Sequence, residues 1–196
     1  MIIGDGVAGR HAAKTAYGVG ANVFLFGRHE ERMDHLRELI GRKAHVLLST
    51  PQNIAENVKD ADLVVGGVLL AGAKAPFVVT EEMIKTMQPG SVIVDVSIDQ
   101  GGCIETSKPT SHSDPVFVKH GVTHYCVTNM PGAYPRTSTF ALTNATLPYI
   151  LKLAEKGINA LKEDKGFAKG LNTHEGSIAN KTVADALGLM DKFRSF

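Results

Sequence analysis

MIIGDGVAGRHAAKTAYGVGANVFLFG, residues 1–27, carries the pattern from which the fold is read. Three apolar residues lead straight into Gly4-Asp5-Gly6-Val7-Ala8-Gly9, a G-x-G-x-x-G turn. Ala12, Ala13 and Ala16 then mark the packing face of a helix, and NVFLF, residues 22–26, reads as the next strand. In that strand-turn-helix setting each glycine has a task. The first permits a tight turn, the second lets a pyrophosphate reach the backbone, and the third lets helix and strand pack closely. The helix N-terminus adds N–H groups and partial positive charge. These residues predict a dinucleotide-binding turn.

Working outward, Ala44 to Leu48, Asp62 to Gly66 and Ser91 to Val96 are short runs rich in β-branched residues without polar alternation, as expected of parallel strands buried on both faces. Helix candidates lie between the strands at His11 to Tyr17, Glu30 to Ile40, Asn53 to Lys59 and Glu81 to Met87. The alternation predicts an α/β fold of Rossmann type, a doubly wound parallel sheet with right-handed crossovers. Only Met1, Ile2 and Ile3 precede the first glycine, against the usual five to six residues of a strand, so we expect a first strand cut short in a fragment of a longer protein.

Beyond Val96 lies a polar loop, Asp99 to Pro115, and then two further strands, Val116 to Val118 and Thr123 to Val127, about Gly121. A long helix is predicted over Thr139 to Lys156, with Phe140, Leu147, Leu151 and Ala154 near one face and a kink at Pro148. Residues 157–196 hold short helices with no evident place in the sheet. The expected domains are residues 1–138, a dinucleotide-binding domain, and 139–196, a helical segment returning to a different domain.

The composition narrows the partners. The 196 residues are 43% hydrophobic and 21% charged with a net charge of +1, which excludes whole-chain disorder and offers no basic footprint for nucleic acid or an anionic membrane. No stretch approaches the roughly 20 apolar residues of a membrane span, and no signal peptide opens the chain. The expectation is a cytoplasmic protein. Its two cysteines, Cys103 and Cys126, form no disulfide framework or metal pair. His112, His120, His124 and His174 are candidate metal ligands, but the His-x₃-His spacing at 120 and 124 falls on a strand pattern rather than a helix, so no metal is expected.

Folds of this kind that bind NAD place Asp or Glu at the end of the second strand, about 20 residues past the turn, to bond the ribose 2′-OH. Here the position is Gly27, followed by Arg28. Loss of the carboxylate removes repulsion against a 2′-phosphate and Arg28 can pair with one, so NADP is admitted beside NAD; the bland alternative is a solvated Arg28. Asp99 lies just past the Ser91 to Val96 strand and can orient substrate, move protons or stabilise a developing cation, or else simply cap the loop. Asp95, inside the strand, reads as a structural carboxylate. Asn129 can hydrogen-bond a ribose or carboxamide, and Met130 packs either on a nicotinamide ring or in the core.

Gly4 to Gly9, VLLAGAKAP at 68–76, GSVIVDVSIDQGGCIETS at 90–107, HSDPVF at 112–117, HYCVTNMPGAYPRTST at 124–139 and ALTNATLPY at 141–149 together closely resemble the alanine dehydrogenase family. The related NAD(P) transhydrogenase α subunits match less well across IDQGG. The resemblance implies a two-domain subunit, usually hexameric, that interconverts L-alanine with pyruvate and ammonia using NAD. It further implies that the half bearing the substrate-binding Arg and Lys and the catalytic His lies outside this chain. It makes Asp99 the catalytic carboxylate and places Gly6, Val7 and Ala8 in the pyrophosphate turn. Ser49, Val68 and Leu69 line the adenine side, and Arg32 and Lys108 approach the cofactor. Val96, Ser97, Ile98 and Asp99, with Val127, Thr128, Asn129 and Met130, border the nicotinamide half. A non-catalytic dinucleotide-binding remnant and a transhydrogenase subunit are the competing expectations.

Overall fold

A computed structural model describes residues 1–70 and 76–196. Residues 71–75, the centre of the VLLAGAKAP stretch, lie outside the described residues. The chain forms two compact units that meet in sequence between Met130 and Pro131.

The first unit is a seven-stranded sheet with helices on both faces. Its elements are β1 (Ile2–Ile3), α1 (Val7–Gly18), β2 (Phe24–Gly27), α2 (Met33–Ile40), β3 (His45–Leu48), α3 (Pro51–Val58), β4 (Leu63–Gly66), α4 (Glu81–Lys85), β5 (Val92–Asp95), β6 (Val116–Lys119) and β7 (Val122–Tyr125). The order across the sheet is β3-β2-β1-β4-β5-β7-β6. All neighbours run parallel except β6, which pairs antiparallel with β7. The predicted α/β class is therefore the observed one, with an antiparallel edge strand added by the turn at Gly121.

Period-two alternation explains why both faces are covered. Ile2, Leu25 and Val46 point to one face, where Ala13 of α1 and Met33, Leu36 and Ile40 of α2 complete a core. Their neighbours Ile3 and Phe26, with Val64 and Ile93, point to the other, against Ile54 and Val58 of α3 and Ile84 of α4. Full burial of a side chain such as Phe26 contributes roughly 1.5–3 kcal/mol. Local chemistry sets the helix starts. Thr50 caps α3 by accepting from the Asn53 N–H at 3.1 Å, ahead of Pro51 in the first turn, and Thr80 caps α4 by accepting from Met83 N–H at 3.3 Å.

The second unit contains α5 (Pro135–Lys156), α6 (Asn159–Glu163), α7 (Lys165–Ala168), the hairpin of β8 (Thr173–His174) and β9 (Ser177–Ile178), and α8 (Lys181–Ala186). α5 starts at Pro135 rather than Thr139, because proline at the first helical position sacrifices no hydrogen bond. It runs on through Pro148 as one helix. No residue of α5 is buried: Phe140 is 60%, Leu147 50% and Leu151 58% exposed. Tyr149 meets the Phe167 ring at 5.0 Å, and Lys152 and Lys156 pair with Asp164 and Glu163, which ties α5 to the segments that follow it. The hairpin was not read from sequence, its strands being two residues each. No described helix is long and apolar enough to cross a membrane.

Candidate functional site

The order of the strands reverses between β1 and β4, the place where open α/β sheets bind ligands beyond their carboxyl ends. The glycine turn stands at this point. Gly4 has φ +110°, and a Cβ added there would lie 2.3 Å from the Gly67 carbonyl oxygen after β4. A Cβ on Gly9 would lie 1.8 Å from the Gly4 carbonyl oxygen, so α1 packs on β1 only because residue 9 has no side chain. Gly6 differs from both: nothing lies within 4 Å of the position its Cβ would take. It is the N-cap of α1, and no side chain caps that helix. Open space over an uncapped helix N-terminus is what a pyrophosphate would fill, with Val7 and Ala8 in the first turn. The residues present therefore fit a dinucleotide.

The other candidates occupy the loops after the parallel strands. Ser49, after β3, donates its backbone N–H to the Gly27 carbonyl at 2.7 Å. Val68 follows β4 and accepts from Ser97 Oγ at 2.8 Å, while Leu69 is 63% exposed. Asp99 lies in a 3₁₀ turn, Ile98–Gln100, after β5, with its side chain exposed. Its Oδ1 accepts the Asn129 backbone N–H at 3.0 Å. Asn129 has φ +52°, a left-handed conformation that Asn tolerates better than most residues. Its carbonyl accepts from His112 Nε2 at 3.1 Å, so this one residue is held on both of its peptide groups from two loops. Lys108 stands over the Phe117 ring of β6, 4.5 Å from its centroid.

Asp95 is the anchor beneath Asp99. It is wholly buried and accepts from the backbone N–H groups of Ser97, Cys103 and Ile104 at 3.0–3.2 Å and from Ser107 Oγ at 2.7 Å. One carboxylate thus folds the IDQGG loop back on the end of β5, the structural role read for it from sequence. Burial, followed by the charge of Asp95, pushes the Cys103 thiol up to about 12. Burial also raises Cys126. Both sulfurs are held as inert thiols.

The histidines do not converge. His124 is fully buried, its Nδ1 donating to the Val122 carbonyl at 2.9 Å and its Nε2 accepting from Thr106 Oγ1 at 2.7 Å. Burial lowers its pKa. His120 turns instead to Glu81 at 2.7 Å, which also pairs with Lys119, and these two partners hold the Glu81 carboxyl at about 2.

Gly27 departs from the sequence reading. The strand end is not free of negative charge, because Asp5, the residue between the first two glycines, reaches it from the turn. A Cβ on Gly27 would lie 3.4 Å from Asp5 Cγ and 3.5 Å from Oδ2. Asp5 Oδ2 is buried and accepts no hydrogen bond, although Arg32 Nη1 lies 3.4 Å away as an ion-pair partner. Arg32 is thus placed beside the turn, through Asp5, while Arg28 is exposed. The signal that could have found Asp5 is an acid inside the glycine motif of a chain that lacks one at the strand end.

Residues 1–181 match the family described as alanine dehydrogenase/PNT, C-terminal domain. The chain belongs to this family. It is 54% identical over 187 residues to alanine dehydrogenase 2 of Staphylococcus aureus (strain USA300), covering 94% of this chain and 50% of that protein. The fold superimposes on an L-alanine dehydrogenase structure with a TM-score of 0.84 at 46% identity, covering 96% of this chain and 52% of that one. A transhydrogenase from Sinorhizobium meliloti follows at a TM-score of 0.72 and 26% identity, covering 92% and 48%. The chain spans about half the length of the curated relatives it matches.

Proposed function

We propose that this chain is the C-terminal, cofactor-binding portion of an alanine dehydrogenase, a cytoplasmic enzyme that interconverts L-alanine with pyruvate and ammonia. The observation that carries the reading is the exposed Asp99 carboxylate, held by Asn129 N–H at the carboxyl end of β5 within a sheet whose switch point bears an open, uncapped glycine turn. The much higher identity to alanine dehydrogenases than to the transhydrogenase favours alanine as substrate.

A nicotinamide dinucleotide supplies the hydride acceptor. The backbone of Gly6, Val7 and Ala8 holds the pyrophosphate, Ser49, Val68 and Leu69 flank the adenine side, and residues 96–99 and 127–130 border the nicotinamide half. Asp99 stabilises the cationic iminium that forms when alanine loses hydride from its α-carbon, and assists the water that converts it to pyruvate and ammonia. Residues 131–196 belong to the return into the substrate domain, and the exposed apolar side chains of α5 are covered in a hexamer or by the other half of the subunit.

The test is an assay of the protein from its entire reading frame beside the 196-residue chain. The former should reduce NAD with alanine and oxidise NADH with pyruvate plus ammonia. The latter should do neither, because the substrate anchors and general base are contributed from outside it. Alanine-independent hydride exchange between two nicotinamide dinucleotides would replace the reading with a transhydrogenase, and loss of all turnover in the entire protein would leave a binding remnant.

A further inference from the structure

We propose that Asp5 supplies, from the glycine turn, the carboxylate that Gly27 lacks, and that it sets a preference for a dinucleotide whose adenine ribose carries a free 2′-hydroxyl. The inference rests on the dinucleotide reading above and identifies which member of that class the site takes.

Three observations meet at one point. Gly27 ends β2, where a ribose-binding acid is expected, and it offers no side chain. The Asp5 side chain packs against it, 3.4 Å from where a Cβ of residue 27 would be, so a carboxylate occupies the neighbourhood that an acid at 27 would otherwise fill. Asp5 Oδ2 is buried without a hydrogen-bond donor, the only such side-chain atom among the described residues. A buried carboxylate oxygen with no donor is costly, and a ribose hydroxyl is a donor of the right kind. Arg32 offsets the charge from 3.4 Å but does not bond Oδ2, and its own side chain is 43% exposed. A 2′-phosphate brought to this point would face the Asp5 charge and offer it no proton, which is selection by repulsion as well as by a bond.

The exposed Arg28 and the half-exposed Arg32 make the opposite outcome physically possible, so the ratio of affinities decides. NADH and NADPH are titrated against the 196-residue chain by fluorescence or calorimetry, with circular dichroism confirming that each variant is folded. The wild-type chain should bind NADH at least about tenfold more tightly than NADPH. Asp5→Ala should remove most of that ratio, and Asp5→Ala with Gly27→Asp, which returns the carboxylate to the strand end, should restore it. Equal affinities in the wild type, a preference for NADPH, or a ratio unchanged in Asp5→Ala would each overturn the proposal while leaving the dinucleotide site standing. Binding of neither nucleotide would overturn that site and the proposal with it.

Discussion

Asp99 and Asn129, 30 positions apart in sequence, are joined by one hydrogen bond of 3.0 Å from the Asn129 backbone N–H to Asp99 Oδ1. The bond links the loop after β5 to the loop after β7 and fixes one oxygen of an exposed carboxylate. If Asp99 has the cation-stabilising role proposed above, Asp99→Asn, placed in the entire protein, should leave the dinucleotide Kd within about twofold and lower kcat by roughly 10²- to 10⁴-fold. Stopped-flow and steady-state measurements of alanine oxidation check this, and near-normal turnover would return Asp99 to a loop-capping role.

The three glycines of the turn separate by what each lacks room for. Gly6→Ala meets open space at an extended backbone position and should change stability by less than about 0.5 kcal/mol while weakening dinucleotide binding about tenfold. Gly9→Ala forces a methyl into the Gly4 carbonyl and should cost about 3 kcal/mol or more. Urea unfolding with and without NADH distinguishes the two; equal losses of stability would contradict this division.

Asp95 is a keystone of folding, wholly buried and hydrogen-bonded to the loop that follows β5. Asn at this position keeps the shape but turns an NH₂ toward donors and loses a charge that accepts three backbone N–H groups. Asp95→Asn should destabilise the first unit by about 3 kcal/mol. It should also expose Cys103, whose alkylation by iodoacetamide at pH 8 is expected to be negligible in the folded wild-type chain, because a thiol pushed to about 12 is protonated there.

His124 and Glu81 each contribute an acid limb to the stability. His124 is lowered by burial below its ordinary 6.5, so the unfolded chain binds the proton more readily and stability falls as the pH drops below about 6.5. Glu81, lowered from 4.5 to about 2 by His120 and Lys119, contributes stability above 4.5 that is lost as the pH falls from 4.5 toward 2. Unfolding midpoints measured from pH 8 to 2 should show both limbs. Glu81→Gln should reduce the lower limb and leave the upper one unchanged, the rest of the lower limb coming from Asp164, which its backbone hydrogen bonds and Lys152 also lower; because the Glu81 group is solvent-exposed, its effect should shrink in 0.5 M salt.

Strand and helix order were legible in the first half of the chain because their causes are local. Runs such as NVFLF and SVIVDV admit little except buried parallel strands, whereas α3 starts at Pro51 behind its Thr50 cap, two residues ahead of the Asn53 start read from the sequence. The glycine turn was legible for the same reason: Gly9 answers a clash inside the motif, Gly4 one with the adjoining strand end at Gly67, and Gly6 leaves open space over the helix N-terminus. The exposure of α5 and the hairpin after it were not legible, since apolar spacing alone does not say what covers a face, and two-residue strands carry no period. Nor was the site's charge. Sequence shows Gly27 and infers a missing carboxylate; only the tertiary structure brings Asp5, 22 positions earlier, alongside it. β1 and β2 are parallel neighbours, so the turn that follows one lies beside the end of the other. Through-space charge depends on that adjacency, and no linear spacing encodes it.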